Sequence, residues 1–169
     1  FKGLKMRMPG LGAEVINRMG ATAVSMPGGE IMPSLESGAI DATEWVGPYN
    51  DLAFGFYQVA KYYYVPGFHE PGTQAECMVN KEEYDKLPKH LQKIVEHASV
   101  SENNKMLAEF TYGNSAAQRK LVDTHGVIMN NFPKEVYDTM FKISEEVVAE
   151  TANDGEINKK IYNSWIKFK

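Results

Sequence analysis

The chain has 169 residues, with 18 Lys+Arg against 22 Asp+Glu, a formal net charge of -4, 43% hydrophobic and 24% charged residues. That balance is ordinary for a globular protein, and the length favours a single domain able to bury a substantial core. A pI of about 5.6 without a Lys/Arg block argues against nucleic acid as the main partner. No run of ~18 apolar residues is present to span a membrane, and the lone Cys77 excludes an internal disulfide framework or a Cys-rich zinc site.

The first ninety residues alternate short strand patterns with short helical ones. Leu4 to Met8 alternates apolar and basic residues and stops at Pro9-Gly10, the pattern of a strand entering a turn. Ala13 to Met19 has helical apolar spacing, with Gly20 where a C-terminal cap glycine sits. Thr22 to Met26 is a second strand, ended by Pro27-Gly28-Gly29, and Glu30 to Ser37 a second helix closed by Gly38. Ile40 to Trp45 is a third strand; Gly47-Pro48 opens a helix expected to run through Ala60. Tyr62 to Val65 is a fourth strand, and Ala75 to Asn80 a fifth running back along the same sheet. Such alternation predicts a mainly parallel sheet with helices on its faces.

Beyond Pro88 the pattern is helical: a long helix from Pro88 to Asp123, continuous or divided near Gly113, a short extended piece at Val127 to Met129, then Glu135 to Ala152. A last amphipathic helix, Glu156 to Lys169, carries Ile157, Ile161, Trp165 and Ile166 on one face. Residues 1–87 thus read as an α/β ligand-binding lobe and 88–169 as helices. A four- or five-stranded sheet offers those helices little surface, so a further domain or a second protomer is expected to cover them. The opening Phe1-Lys2-Gly3, without Met or signal peptide, reads as a start cut from inside a longer protein.

Dinucleotide, P-loop, nucleophile-elbow and zinc-protease motifs are absent, and Gly10-Leu11-Gly12 is better read as turn chemistry than as part of a nucleotide fingerprint. The positive signal lies at the strand ends, where open α/β sheets bind ligands. Arg7, Met26, Glu44-Trp45 and Phe68-His69-Glu70 gather there. Arg7 offers a bidentate fork suited to a carboxylate, and Glu44 and Glu70 offer hard oxygen donors suited to a cation. Trp45 and Phe68 would supply an apolar wall, the helix after Gly47 free N–H groups for an anion, and Asn50 a further polar contact. The alternatives stay open: Arg7 and Glu44 as a strand-end salt bridge, Trp45 as a core residue, Glu70 as a solvated turn residue. Cys77 reads as an inert buried thiol.

Gly3-Leu4-Lys5-Met6-Arg7-Met8-Pro9-Gly10, Pro27-Gly28-Gly29-Glu30-Ile31 and Leu35 to Trp45 resemble the TRAP-transporter solute-binding proteins, the DctP-like family. Val46 to Ala53 and the Tyr64 to Gly72 stretch, with His69-Glu70-Pro71-Gly72, resemble its 2-oxo-acid and lactate branch. The resemblance implies the C-terminal half of a periplasmic receptor: one lobe of a two-lobe, type II-like periplasmic-binding-protein fold, plus C-terminal long helices. It implies that Arg7 pairs the carboxylate of a small organic anion. It also implies that a sodium or calcium ion bridges ligand and protein through Glu44, the Trp45 carbonyl and Glu70. Further implications are delivery to TRAP membrane permease subunits, no enzyme activity and a possible homodimer through the C-terminal helix. A single lobe is expected to bind weakly, because closure normally buries the ligand on both sides. Two other functions compete: an interaction module without a small ligand, and a metal-assisted lyase or hydrolase with Glu44 or Glu70 as base.

Overall fold

The structure, a computed structural model, describes residues 1–70, 72 and 76–168. Three short strands, β1 (Lys5–Arg7), β2 (Thr22–Val24) and β3 (Ala42–Thr43), pair in parallel in the order β2-β1-β3. Parallel neighbours need crossover connections, and helices α1 (Gly10–Arg18) and α2 (Gly28–Glu36) supply them. Register sets Arg7 between Val24 and Thr43, at the carboxyl end of the central strand. The chain leaves β1 for β2 on one side and returns to β3 on the other. The gap between the ends of β1 and β3 is therefore the point where strand order reverses, where such sheets open a crevice.

Two small cores hold this unit. Met8, Ile16 and Ala21 bury against Phe1, Leu4, Met6 and Phe68. Ile31, Ile40 and Phe56 bury against Met26, Leu35 and Trp45. Each fully buried aliphatic side chain here is worth roughly 1.5–3 kcal/mol. The glycine expected to cap α1, Gly20, does so with a φ of +93°, a conformation that costs other residues dearly.

The third strand is shorter than the six residues expected. Asp41, Ala42 and Thr43 follow β1, after which the indole of Trp45 turns into the second core. Helix α3 (Pro48–Phe54) also ends early, at Gly55, whose φ of +78° breaks it before a 3-10 turn at Phe56–Gln58. The larger departure concerns β4 (Tyr62–Val65). It does not extend the first sheet but pairs in parallel with β5 (Ile128–Asn131), Tyr62 opposite Ile128, in a separate two-stranded sheet. Residues 76–80 are irregular rather than a strand, and Ala75 lies outside the described residues. Cys77 is exposed, not buried.

The helical half follows the expected pattern more closely. A short α4 (Lys81–Lys86), which the sequence pattern did not suggest, precedes α5 (Lys89–Asp123), then come α6 (Lys134–Thr151) and α7 (Glu156–Phe168). Buried Gln92 joins α4 to α5 by donating its Nε2 to the carbonyls of Tyr84 and Leu87, both at 3.0 Å. Arg18 forks onto Glu150 at 2.6 and 2.9 Å, tying α1 to α6. α5 is unbroken over 35 residues, about 50 Å at the usual helical rise, and Gly113 does not divide it. That glycine marks the crossing with α3: a Cβ there would stand 3.0 to 3.1 Å from the Tyr49 ring. Toward its start α5 leaves Ile94, Val100, Met106 and Leu107 exposed, and α7 leaves Ile157, Ile161, Trp165 and Ile166 exposed.

Close approach at Gly113 is testable. Gly113→Leu would push α3 from α5 and is expected to cost about 1–3 kcal/mol, the usual cost of overpacking. Urea unfolding measures it, and an unchanged midpoint would mean that the Tyr49 contact does not fix the helix spacing.

Candidate functional site

Arg7 ends β1 and reaches two connections at once, those that follow β2 and β3. Its Nε donates to the carbonyl of Met26 at 3.3 Å, in the β2–α2 turn. Its Nη1 donates to the Glu44 carboxylate and, at 3.5 Å, to the Glu44 carbonyl. Its guanidinium carbon lies 5.2 Å from the centre of the Trp45 ring, a cation–π geometry. No described residue accepts from Nη2, so part of the planar fork stays available. The pair is well shielded, with 11% and 12% of the Arg7 and Glu44 side chains exposed. Of the two expected readings of these residues, the strand-end salt bridge is present, at the carboxyl end of the central strand.

His69 is the residue that sequence reasoning undervalued. The sequence places it among the strand-end residues without a role of its own, yet its Nε2 lies 3.2 Å from Glu44 Oε2. An ionised carboxylate only accepts, so Nε2 carries the hydrogen and Glu44 is held by Arg7 on one oxygen and His69 on the other. The histidine is positioned by Phe68, whose ring stands 5.0 Å away and which packs on the first core. Glu70 is exposed and meets neither Arg7 nor Glu44, so the structure does not bring the second expected carboxylate into the cluster. Pro71 lies outside the described residues.

Trp45 sits where expected but is fixed from two sides. A Cβ on Gly28 would overlap its ring, and Phe54 packs 5.1 Å from it. The start of α3 departs from expectation, because part of it is already satisfied. Pro48 has no N–H, Gly47 N–H donates to Asp51 Oδ1 at 3.3 Å, and Tyr49 N–H donates to Asn114 Oδ1 of α5 at 3.0 Å. Those groups are not free for an anion. Asn50, in the same turn, makes no bond to Arg7 or Glu44, but its Oδ1 is buried without a partner.

Among the described residues, the buried side-chain nitrogens and oxygens lacking any hydrogen-bond partner are Trp45 Nε1, Asn50 Oδ1 and His69 Nδ1. Buried polar atoms are normally paired, and leaving one unpaired costs about 1–3 kcal/mol. Trp45 and Asn50 lie on the segment that follows β3, and His69 on the one that follows β4. Behind them, Asp51 accepts from the Tyr63 hydroxyl of β4. Burial pushes the Asp51 carboxyl above its ordinary value of 3.8, against the pull of the Tyr63 hydroxyl and the Gly47 and Val46 N–H groups, while the charge of Glu44 adds to the rise. Burial, and then the charge of Asp51, push the Tyr63 phenol upward too.

No three His, Cys, Asp or Glu side chains among the described residues converge as a metal cage. The donors at hand, the Glu44 carboxylate and the backbone carbonyl of Trp45, are hard oxygens of the kind sodium or calcium takes. They fit such an ion by chemistry but make only part of a coordination shell.

The arrangement of short parallel strands, crossover helices and an arginine at the reversal point is that of one lobe of a periplasmic binding protein. A TRAP periplasmic solute-binding protein of Colwellia psychrerythraea, solved with bound calcium and pyruvate, superposes with a TM-score of 0.91 at 38% identity, over 99% of this chain and 51% of that one. One from Pseudoalteromonas atlantica, with bound sodium and pyruvate, gives 0.87 at 37% identity over 96% of this chain and 50% of that one. The model of DctP, the bacterial extracellular solute-binding proteins of family 7, matches residues 1–154, and the chain belongs to that family. It is 39% identical over all 169 residues to the monocarboxylate 2-oxoacid-binding periplasmic protein of Nostoc sp., 46% of whose length it covers. The chain thus spans about half the length of these relatives.

Tyr63 gives the site a pH-dependent signature. Tyr63→Phe removes the hydroxyl that pulls the Asp51 carboxyl down, so its folded value rises further. A carboxyl raised on folding costs stability as pH climbs from its unfolded value through its folded one. The variant is therefore expected to lose about 1.5–3 kcal/mol at neutral pH and clearly less below pH 3.8, where Asp51 is protonated in both states. Urea unfolding at the two pH values checks this; equal losses would show that the hydroxyl does not serve the ionised carboxylate.

Proposed function

We propose that the chain carries the anion-recognition lobe of an extracytoplasmic receptor for a small 2-oxo or 2-hydroxy monocarboxylate, of pyruvate or lactate type. The observation that carries this reading is Arg7, shielded at the strand reversal point with no described residue accepting from Nη2, together with three orphaned polar atoms on the segments that follow β3 and β4. A carboxylate on the guanidinium satisfies the fork. The 2-oxo or 2-hydroxy oxygen then needs a donor or a cation, and Trp45 Nε1 is a buried donor in want of a partner, while His69 Nδ1 would accept from a 2-hydroxy group.

A sodium or calcium ion completes the reading. Glu44 and the Trp45 carbonyl would hold it together with oxygens of the ligand, and it would supply positive charge for two carboxylates at close quarters. Relatives of this fold hold either ion beside pyruvate. Glu70, exposed next to His69, would be a further ligand for the ion. In this reading the protein binds and releases its solute unchanged, in the periplasm, and hands it to TRAP membrane permease subunits. No helix among the described residues is long and apolar enough to cross a membrane. Residues 1–87 do the recognition, while the helices of 88–169 meet a second lobe or, through the exposed face of α7, a second protomer.

Isothermal titration of pyruvate, with Ca2+ or Na+ present, tests this. Arg7→Ala is expected to weaken binding about 100-fold or more, the cost of removing one partner of a buried charge pair, with Arg7→Lys, which keeps the charge but loses the fork, in between. Equal affinity in the wild type and Arg7→Ala would take Arg7 out of ligand contact and end this reading.

A further inference from the structure

We propose that the Arg7–Glu44 ion pair is an exchangeable lock that makes cation and carboxylate binding mutually dependent, with His69 keeping Glu44 in place through the exchange. The inference rests on the receptor reading above and concerns how its two ligands are coupled.

The argument starts from the hydrogen count on Arg7. Nη1 donates to both the carboxylate and the carbonyl of Glu44, and the single Nε hydrogen goes to Met26. Among the described residues nothing accepts from Nη2. A bidentate carboxylate needs two neighbouring N–H groups, so an incoming anion must take a donor that is already in use. At the Nη1–Nη2 end, that donor is Nη1, which Glu44 holds.

Charge counting leads the same way. Arg7 and Glu44 together are neutral in a shielded site. An anion alone brings a second carboxylate beside Glu44 and leaves one negative charge in excess. A cation alone draws Glu44 away and leaves Arg7 facing another positive charge. Unpaired charge away from water is costly. When both arrive, the anion takes Arg7, the cation takes Glu44, and each buried charge still has an opposite neighbour. The charge of Glu44 is also felt at the Asp51 carboxyl, and a lone anion beside Glu44 would add to that repulsion.

His69 supplies the fixed point. It donates to Glu44 Oε2, not to the oxygen that Arg7 holds. When Arg7 leaves, that bond keeps the carboxylate oriented, and the remaining lone pairs face the incoming ion.

The test is a thermodynamic square on the 169-residue chain, with pyruvate and Ca2+ as probes at up to millimolar concentration. Titration calorimetry is paired with the Trp45 indole N–H resonance, a reporter on a buried, unpartnered donor. Each probe is expected to tighten the other by the same factor, about ten-fold or more. A second arm uses Glu44→Gln, with its fold checked by circular dichroism. Removing the lock should let pyruvate bind without Ca2+, and Ca2+ should no longer alter its affinity. Were Glu44 simply a ligand for the ion, the same variant would bind pyruvate more weakly, and that result overturns the exchange. Pyruvate binding in the wild type that is indifferent to Ca2+ also overturns it, while leaving the receptor reading standing. No response to the two probes together overturns the receptor reading itself. The wild-type square decides the matter even where Glu44→Gln fails to fold.

Discussion

A guanidinium and a carboxylate held mostly out of water at the end of a three-stranded sheet are the constraint on which this lobe is built. Taking two such charges from water is costly, and their attraction repays it only when further partners satisfy the rest of each group. Here they do. Arg7 ends the central strand, the Met26 carbonyl comes from the turn after the second, Glu44 and Trp45 follow the third, and His69 follows the fourth. The connections after the second and third strands are thereby pinned to one planar cation, and the one after the fourth is pinned to its carboxylate partner. Lysine could not serve in the same way, because a single ammonium lacks the fork that reaches Met26 and Glu44 from one rigid plane.

Behind that cluster stands a second one, and it ties the site to the far end of the chain. α3 has no side-chain cap of its own; Asn114 of α5 accepts from Tyr49 N–H, and Gly113 beside it lets the Tyr49 ring approach. Asp51 joins Gly47 of the preceding turn to Tyr63 of β4. The turn that carries Trp45 and Asn50 is thus clamped between a strand of the second sheet and the long helix. A residue more than sixty positions away in sequence sets where the site segment can sit, so the helices are part of the recognition geometry as well as a cover for apolar surface.

Much of this was legible in the sequence because it is written locally. Alternation in Leu4 to Met8, turn residues at Pro9-Gly10 and Pro27-Gly28, and Gly20 after a helical pattern each fix their own neighbourhood. The Arg7–Glu44 meeting was legible too, because strand ends in a parallel sheet converge by rule. What escaped was nonlocal. Tyr62 to Val65 has the pattern of a strand, but nothing in it says that its partner is Ile128 to Asn131 rather than the first sheet. His69 was hidden by its neighbour: in an extended segment adjacent residues face opposite ways, and the sequence does not say which faces in. Asp51 left a signal that could have been read, a carboxylate four residues after a glycine at a helix start, placed to accept that glycine's N–H.

The distribution of buried and exposed apolar surface follows from the same arrangement. The cores around Ile16 and Ile31 are small and lie under the sheet and its crossover helices. α5 is buried mainly near Gly113, Ala117 and Leu121, where it meets α3 and the turn into β5, while its earlier turns and the apolar face of α7 are open. A helix that long cannot be explained by propensity, since isolated helices are marginal in water. It is anchored at one end by the site and at the other by the Gln92 bonds to α4. The exposed stretch between those anchors is therefore held in shape before anything covers it. A surface that binds along it would press on a rod whose far end fixes Tyr49 and Asn114. One unbroken hydrogen-bonded helix thus joins that open stretch to the contacts with Tyr49 beside the Trp45 turn.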